Sequence, residues 1–123
     1  METYRNEDRP MADCVFCAIA AGELPADIVH SDDRVVAFRD LNPQAPLHVL
    51  VIPRLHRANA AELAATDPAL VGDMVTAAHA VATGDGRAES GYRLIFNTGA
   101  DAGQTVFHAH LHLLAGGRVG LTL

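Results

Sequence analysis

At 123 residues the chain is long enough for one domain with its own core, and half of its residues are hydrophobic. The net charge of −6 argues against broad nucleic-acid binding, and no apolar run approaches the length that spans a bilayer. All 9 basic residues are Arg, which removes lysine nucleophiles, Schiff bases and the P-loop lysine together, and two cysteines are too few for a disulfide framework and fit a reducing cytoplasm.

Residues 1–11 are largely polar, lack the apolar stretch of a secretion signal and are expected to be disordered, with Met11 an alternative start. Residues 12–123 then form a single domain. Residues 13–22 read as a short helix with Asp13 as N-cap and Gly22 just past its end. Two short strands follow, 27–31 and 34–39, joined by the turn chemistry of Ser31-Asp32-Asp33. Asn42-Pro43-Gln44-Ala45-Pro46 is a rigid loop, and 47–53 (LHVLVIP) a buried central strand closed by Pro53. Asp67 caps the main helix, which has Pro68 at its first position, Gly84 at its end and an apolar stripe of Leu70, Val71, Met74, Val75 and Ala78. Residues 92–97 and 107–114 are the last strands. With few helices and short turns, the pattern predicts an α+β fold on an antiparallel sheet.

The segment richest in chemistry is His108-Ala109-His110-Leu111-His112. On a strand, alternate side chains share a face, so three imidazoles line one side about 6.5–7 Å apart while Ala109, Leu111 and Leu113 enter the core. Such a row suits metal hydrolysis, since neighbouring imidazoles can share one ion. It equally suits phosphoryl transfer, since a neutral imidazole with one nitrogen held as N–H presents the other as a nucleophile. Just ahead, Gly103-Gln104-Thr105 is either a hairpin turn or a cup of N–H and side-chain groups for a phosphate. Cys14-x-x-Cys17 reads as a redox pair, as two structural thiols, or as half of a four-ligand metal site. His30 and His79 carry no functional claim, and Arg54 and Arg57 are ordinary surface arginines that could steer an anion.

The strings NTGADAGQTVFHAHLHLL and CVFCAIAAGELPADIVHSDDRVVAFRDLNPQAPLHVLVIPRLH together resemble the histidine-triad (HIT) proteins of the Hint-type branch, over roughly residues 13–118. The resemblance implies a five-stranded antiparallel sheet with one main helix and a short N-terminal helix, paired as a homodimer into a ten-stranded sheet. It implies that His110 attacks the α-phosphorus of a purine nucleotide to give a nucleotidyl-histidine, that His112 contacts phosphate and assists the leaving group, and that His48 supports the nucleophile's surroundings. Gly103, Gln104, Thr105 and Asn97 match phosphate-contacting positions, Asp40 the carboxylate that holds the ribose hydroxyls, and Phe16, Ile19, Leu24, Phe38 and Leu41 the apolar slot for the base. His112, where transferase relatives carry Gln, implies a hydrolase of phosphoramidates or aminoacyl-adenylates; dinucleoside polyphosphate cleavage and nucleotide binding with little turnover are the alternatives. No catalytic metal is required. Zinc-bearing relatives pair the CxxC with the histidine of VIPRLH and the first triad histidine, which implies structural zinc on Cys14, Cys17, His56 and His108. The chain ends in GGRVGLTL without the Trp-Pro-Pro-Gly tail of many Hint-type members, so the resemblance leaves substrate preference open.

Overall fold

The computed structural model describes residues 13–117; the disorder expected for 1–11, the alternative start and the C-terminal tail lie outside the described residues. In chain order the elements are α1 (Val15–Ala20), β1 (Ile28–Ser31), β2 (Val35–Arg39), β3 (Leu47–Pro53), α2 (Ala60–Thr66), α3 (Pro68–Gly84), β4 (Tyr92–Phe96), a 3-10 turn (Ala100–Ala102) and β5 (Leu111–Ala115). The five strands form one antiparallel sheet in the order β1-β2-β3-β5-β4, so the last strand inserts between β3 and β4.

One face of the sheet is closed. Val35, Ala37, Leu47, Val49, Val51, Leu111 and Leu113 meet Leu63 of α2 and Leu70, Met74 and Ala78 of α3 in a single core. The period-2 alternation of the strands then sends Val36, Phe38, Leu50 and Ile52 to the opposite face, where Phe16 and Ile19 of α1 cover only part of it. That half-covered face carries the histidines.

The first two strands each begin one residue later than expected, and other expectations need correction as well. The helix at 13–22 is shorter, and Cys14 rather than Asp13 is its N-cap: its sulfur accepts the Cys17 N–H at 3.3 Å. The main helix buries Ala77 and Ala82, whereas Val75 lies on its outer side and is 41 % exposed. Residues 60–66 form a helix that hydrophobic periodicity did not reveal; its signal is Asn59-x-x-Glu62, with the Asn59 side chain accepting the Glu62 N–H at 2.9 Å. The fourth strand ends at Phe96, one residue early. Most consequential, the last strand begins at Leu111 and not at 107. Pro53 has no N–H for the ladder, and its carbonyl is taken by the His108 ring at 2.8 Å, while the Ala109 N–H turns to the Arg57 carbonyl at 2.8 Å. Of the three histidines only His112 sits in the ladder. The alternation survives all the same: Ala109, Leu111 and Leu113 are buried on the helix side.

Candidate active site and metal cluster

Register alone lays down the floor of the site. Phe38 pairs with Leu50, Leu50 with His112, and His112 with Ile95, a row running across β2, β3, β5 and β4 on the open face. Above it lies a cavity of about 430 Å³ walled by Phe16, Ile19, Phe38 and Leu50 at its apolar side and by Asp40, Asn97, Thr105, His110 and His112 at its polar side. Phe16 and Phe38 meet edge-on with ring centroids 5.6 Å apart.

The two cavity histidines are held in opposite ways. His110 Nδ1 lies 2.8 Å from the His108 carbonyl. A carbonyl only accepts, so Nδ1 carries the hydrogen, and the neutral ring keeps its lone pair on Nε2. His112 belongs to a chain of donors that begins on the rigid loop: the Gln44 N–H donates to His48 Nδ1 at 3.0 Å, and His48 Nε2 faces His112 Nδ1 at 3.0 Å. With Nδ1 of His48 accepting, its hydrogen is on Nε2 and is donated to His112 Nδ1, so the hydrogen of neutral His112 is on Nε2. One ring therefore offers a lone pair and its neighbour, 5.1 Å away between centroids, offers a proton. Burial lowers the pKa of His48, partly opposed by Asp40, whose carboxylate lies 3.4 Å from its ring. Burial, with the neighbouring His110 and His48, pushes His112 down to about 4. Both rings are neutral at neutral pH, as the donor chain demands.

Other expected residues are placed unevenly. Gly103 has φ +91°, a left-handed conformation that glycine adopts freely, and it joins Thr105 and Asn97 on the wall. Gln104 does not: its buried carboxamide accepts the Gly99 N–H at 2.8 Å and donates to the Ala58 and Val106 carbonyls at 2.7 and 3.0 Å, stapling the loop from behind. Asp40 reaches the wall while its Oδ1 accepts the Asn42 N–H at 2.9 Å. Leu41 stands fully exposed at the rim, and Leu24, 42 % exposed, is off the wall. His48 contacts His112 rather than the His110 ring. Leu50, Val106 and the Asp27–Arg39 pair also line the cavity without having been singled out. Leu50 was readable, two residues from His48 on the same strand face; Arg39 closes β2, and Asp27 and Val106 come from loop geometry that no sequence period encodes.

Cys14, Cys17, His56 and His108 converge beside this site and could bind a metal ion. His108 Nε2 donates to the Pro53 carbonyl, so its Nδ1 lone pair faces the cluster. From that nitrogen Cys14 Sγ is 3.4 Å away, Cys17 Sγ 3.5 Å and His56 Nδ1 3.1 Å, and Cys17 Sγ is 3.4 Å from His56 Nδ1. A tetrahedral ion with bonds of about 2.0–2.3 Å sets its ligands roughly 3.3–3.8 Å apart. The donor set fits, and the sulfur-to-nitrogen spacings fall in that range, with the two histidine nitrogens slightly closer. Burial pushes His108 down to about 4, which keeps it in the unprotonated form a ligand needs.

A family model described as the HIT domain matches residues 21–119, so His56 and His108 fall inside the match and the two cysteines outside it. The chain is 45 % identical over 106 residues to the purine nucleoside phosphoramidase of Escherichia coli K12, covering 86 % of this chain and 89 % of that protein. It is 49 % identical over 104 residues to an uncharacterized HIT-like protein of Synechococcus elongatus, covering 85 % and 90 %. Among solved structures, a HIT family hydrolase from Clostridium thermocellum superposes with a TM-score of 0.87 at 49 % identity, covering 92 % of this chain and 98 % of that one. A histidine triad protein from Clostridium difficile does so with a TM-score of 0.87 at 40 % identity and the same coverage.

Proposed function

This chain belongs to the HIT domain family and is a HIT-type hydrolase, and we propose that it opens purine nucleotides at the α-phosphorus, with phosphoramidates or aminoacyl-adenylates as substrates and a nucleotidyl-histidine as intermediate. The observation that carries this reading is the pair of opposed tautomers, a lone pair on His110 beside an N–H on His112. His110 Nε2 attacks phosphorus and forms the P–N bond; the bond to the leaving amine breaks, and its electron pair leaves with the amine. The His108 carbonyl stabilises the imidazolium through Nδ1–H. The negative phosphoryl group opposes the burial that keeps His112 neutral in the free protein, so a proton arrives on His112 with the substrate and passes to the amine. Water then cleaves the P–N bond and releases the monophosphate. Phe16, Ile19 and Phe38 offer the base an apolar slot, Asp40 a carboxylate for two ribose hydroxyls, and Asn97, Gly103 and Thr105 donors for phosphate oxygens. No catalytic metal is needed for this route, and Gln104 shapes the phosphate loop rather than touching substrate.

The metal we assign to Cys14, Cys17, His56 and His108 is zinc, a structural ion by its four protein ligands. We further assign a homodimer paired through β4. That strand is one of the two sheet edges, and Arg93 on it has a buried Nη1 without a hydrogen-bond partner among the described residues. Among the described residues no helix is long and apolar enough to cross a membrane, and a content of two cysteines, too few for a disulfide framework, suits a cytoplasmic setting.

The test is incubation with adenosine phosphoramidate. AMP is released, and His110→Ala loses roughly 10⁴-fold or more of kcat, as removal of a covalent nucleophile does, while AMP still binds. Turnover that survives this change, or a quenched reaction without an adduct on His110, overturns the covalent route. A chain that binds AMP and releases none from any phosphoramidate, acyl-adenylate or dinucleoside polyphosphate is a binding protein.

A further inference from the structure

We propose that metal occupancy of the Cys14, Cys17, His56 and His108 cluster sets the catalytic ring and the nucleotide slot, acting through Phe16 and the His108 carbonyl, with Phe16 a positioning residue for His110. The inference rests on the assignment of His110 as nucleophile and adds a control over that same site.

His110 needs such a device. It lies one residue ahead of β5, outside the ladder that fixes His112, so sheet hydrogen bonds do not orient it. Two things do. The first is residue 108, held on three sides: its Nδ1 faces both sulfurs and His56, its Nε2 donates to the Pro53 carbonyl, and its own main-chain carbonyl accepts from His110 Nδ1 at 2.8 Å. Next to it, the Ala109 N–H is bonded to the carbonyl of Arg57, the neighbour of His56. Both histidine ligands are thus stitched to the segment that carries His110. A swing of His108 out of the cluster turns its peptide and withdraws the acceptor that selects the reactive tautomer.

The second is Phe16. It stands between the two cysteines, and its buried ring meets His110 edge-on at 5.1 Å, His108 at 6.0 Å and Phe38 at 5.6 Å between centroids. The same ring is therefore a wall of the cavity and a stop for the catalytic imidazole. The helix that bears it has 6 residues, too few to persist by its own hydrogen bonds. Its N-cap is the Cys14 sulfur itself. Anchoring both sulfurs to His56 and His108 fixes the helix, and with it the ring. Cys14 is only half-buried and borders a surface depression with Asp13, Val15 and Phe107, so the cluster has a route for exchange of the ion with solvent.

The experiment uses the full chain in three forms: metal-loaded, stripped by a chelator with a thiol reductant present, and reloaded with zinc. Metal content, AMP affinity and the side-chain ¹⁵N spectrum of His110 are read alongside adenosine phosphoramidate turnover. In the loaded form His110 shows one tautomer, with hydrogen on Nδ1. Stripping mixes the two tautomers and weakens AMP binding about tenfold, a coupling in the ordinary range between linked sites, and reloading restores both. A stripped, folded chain with unchanged AMP affinity and an unchanged His110 spectrum overturns the proposal. Phe16→Leu decides the matter if stripping unfolds the chain, because it keeps all four ligands. It should retain its metal yet mix the His110 tautomers and lose roughly ten- to a hundredfold in kcat through misplacement of the reacting ring, and Phe16→Tyr should recover both. A Phe16→Leu protein with a wild-type His110 spectrum and only a raised KM shows that the ring merely binds the base. If the wild type turns over no phosphoramidate, the proposed function fails, and the His110 spectrum still answers the question of coupling.

Discussion

The molecule holds two clusters of nearly the same make, and they invite opposite chemistry. Cys14, Cys17, His56 and His108 bring four ligand atoms together; Asp40, His48 and His112 bring three, again within 4.8 Å of one another. What separates them is the ring nitrogen that faces away from the cluster. His108 hands its hydrogen to the Pro53 carbonyl and so turns a lone pair inward. His48 receives a hydrogen from the Gln44 N–H, so its inward nitrogen is already an N–H, occupied with His112. A metal ion needs lone pairs, and the two imidazoles of the second cluster have theirs engaged in a proton chain. Counting donors does not reveal this difference. It comes from one carbonyl and one amide, each supplied by a backbone that proline has shaped.

The largest effect that tests the contrast is on the first cluster. Cys17→Ser takes a buried sulfur out of the proposed metal site and should cost several kcal/mol of a structural metal site's folding energy, which for a domain of this size lowers Tm by about 10–20 °C. Thermal unfolding with and without chelator checks it: the wild type should fall toward the variant when stripped, and the variant should no longer respond. Wild-type stability in the variant would mean that the cysteines are ordinary packed thiols.

Next in size is His48→Gln. The donor chain is broken while the four metal ligands are untouched, so kcat should drop roughly ten- to a hundredfold, the range for loss of positioned proton transfer, with metal content and Tm near those of the wild type. Loss of metal in this variant would erase the distinction between the clusters. Titration with excess zinc sharpens it further: one ion per chain should bind tightly, and Asp40→Asn should leave that stoichiometry unchanged.

Much of this was legible in the residues, and the gaps have physical causes. The alternation His-Ala-His-Leu-His placed Ala109, Leu111 and Leu113 in the core correctly, because side-chain direction follows backbone extension. It could not show that the ladder starts only at Leu111, since that depends on which carbonyls of a distant strand are already taken by the His108 ring. Asp67 followed by Pro68 marked the main helix, with Asp67 accepting the Leu70 N–H at 3.2 Å, whereas α2, 7 residues long with Leu63 as its buried residue, offered no stripe to count. Gln104 shows the converse. Its residue type suits a phosphate contact, and its location in the loop is right, yet three backbone groups claim its carboxamide first. Sequence displays what a side chain can bond to, not which partner reaches it.

The smallest effect lies in acid. His112 has its folded pKa pushed from 6.5 down to about 4 by burial beside His110 and His48. Between those two values the unfolded chain binds a proton that the folded chain refuses, so unfolding is favoured as pH falls through that window, and the stabilisation is fully present only above the unfolded pKa. The ring is partly open to the cavity, so solvent screening trims the effect to about 1–2 kcal/mol across the window. Urea unfolding at a series of pH values should show stability falling from pH 6.5 toward 4, with His112→Asn shallower than the wild type. AMP should flatten the wild-type slope as well, since its phosphate raises the His112 pKa toward its unfolded value. An AMP-bound protein with a slope as steep as that of the free one would mean that the phosphate does not reach His112, and the proton that the leaving group requires would have to come from elsewhere.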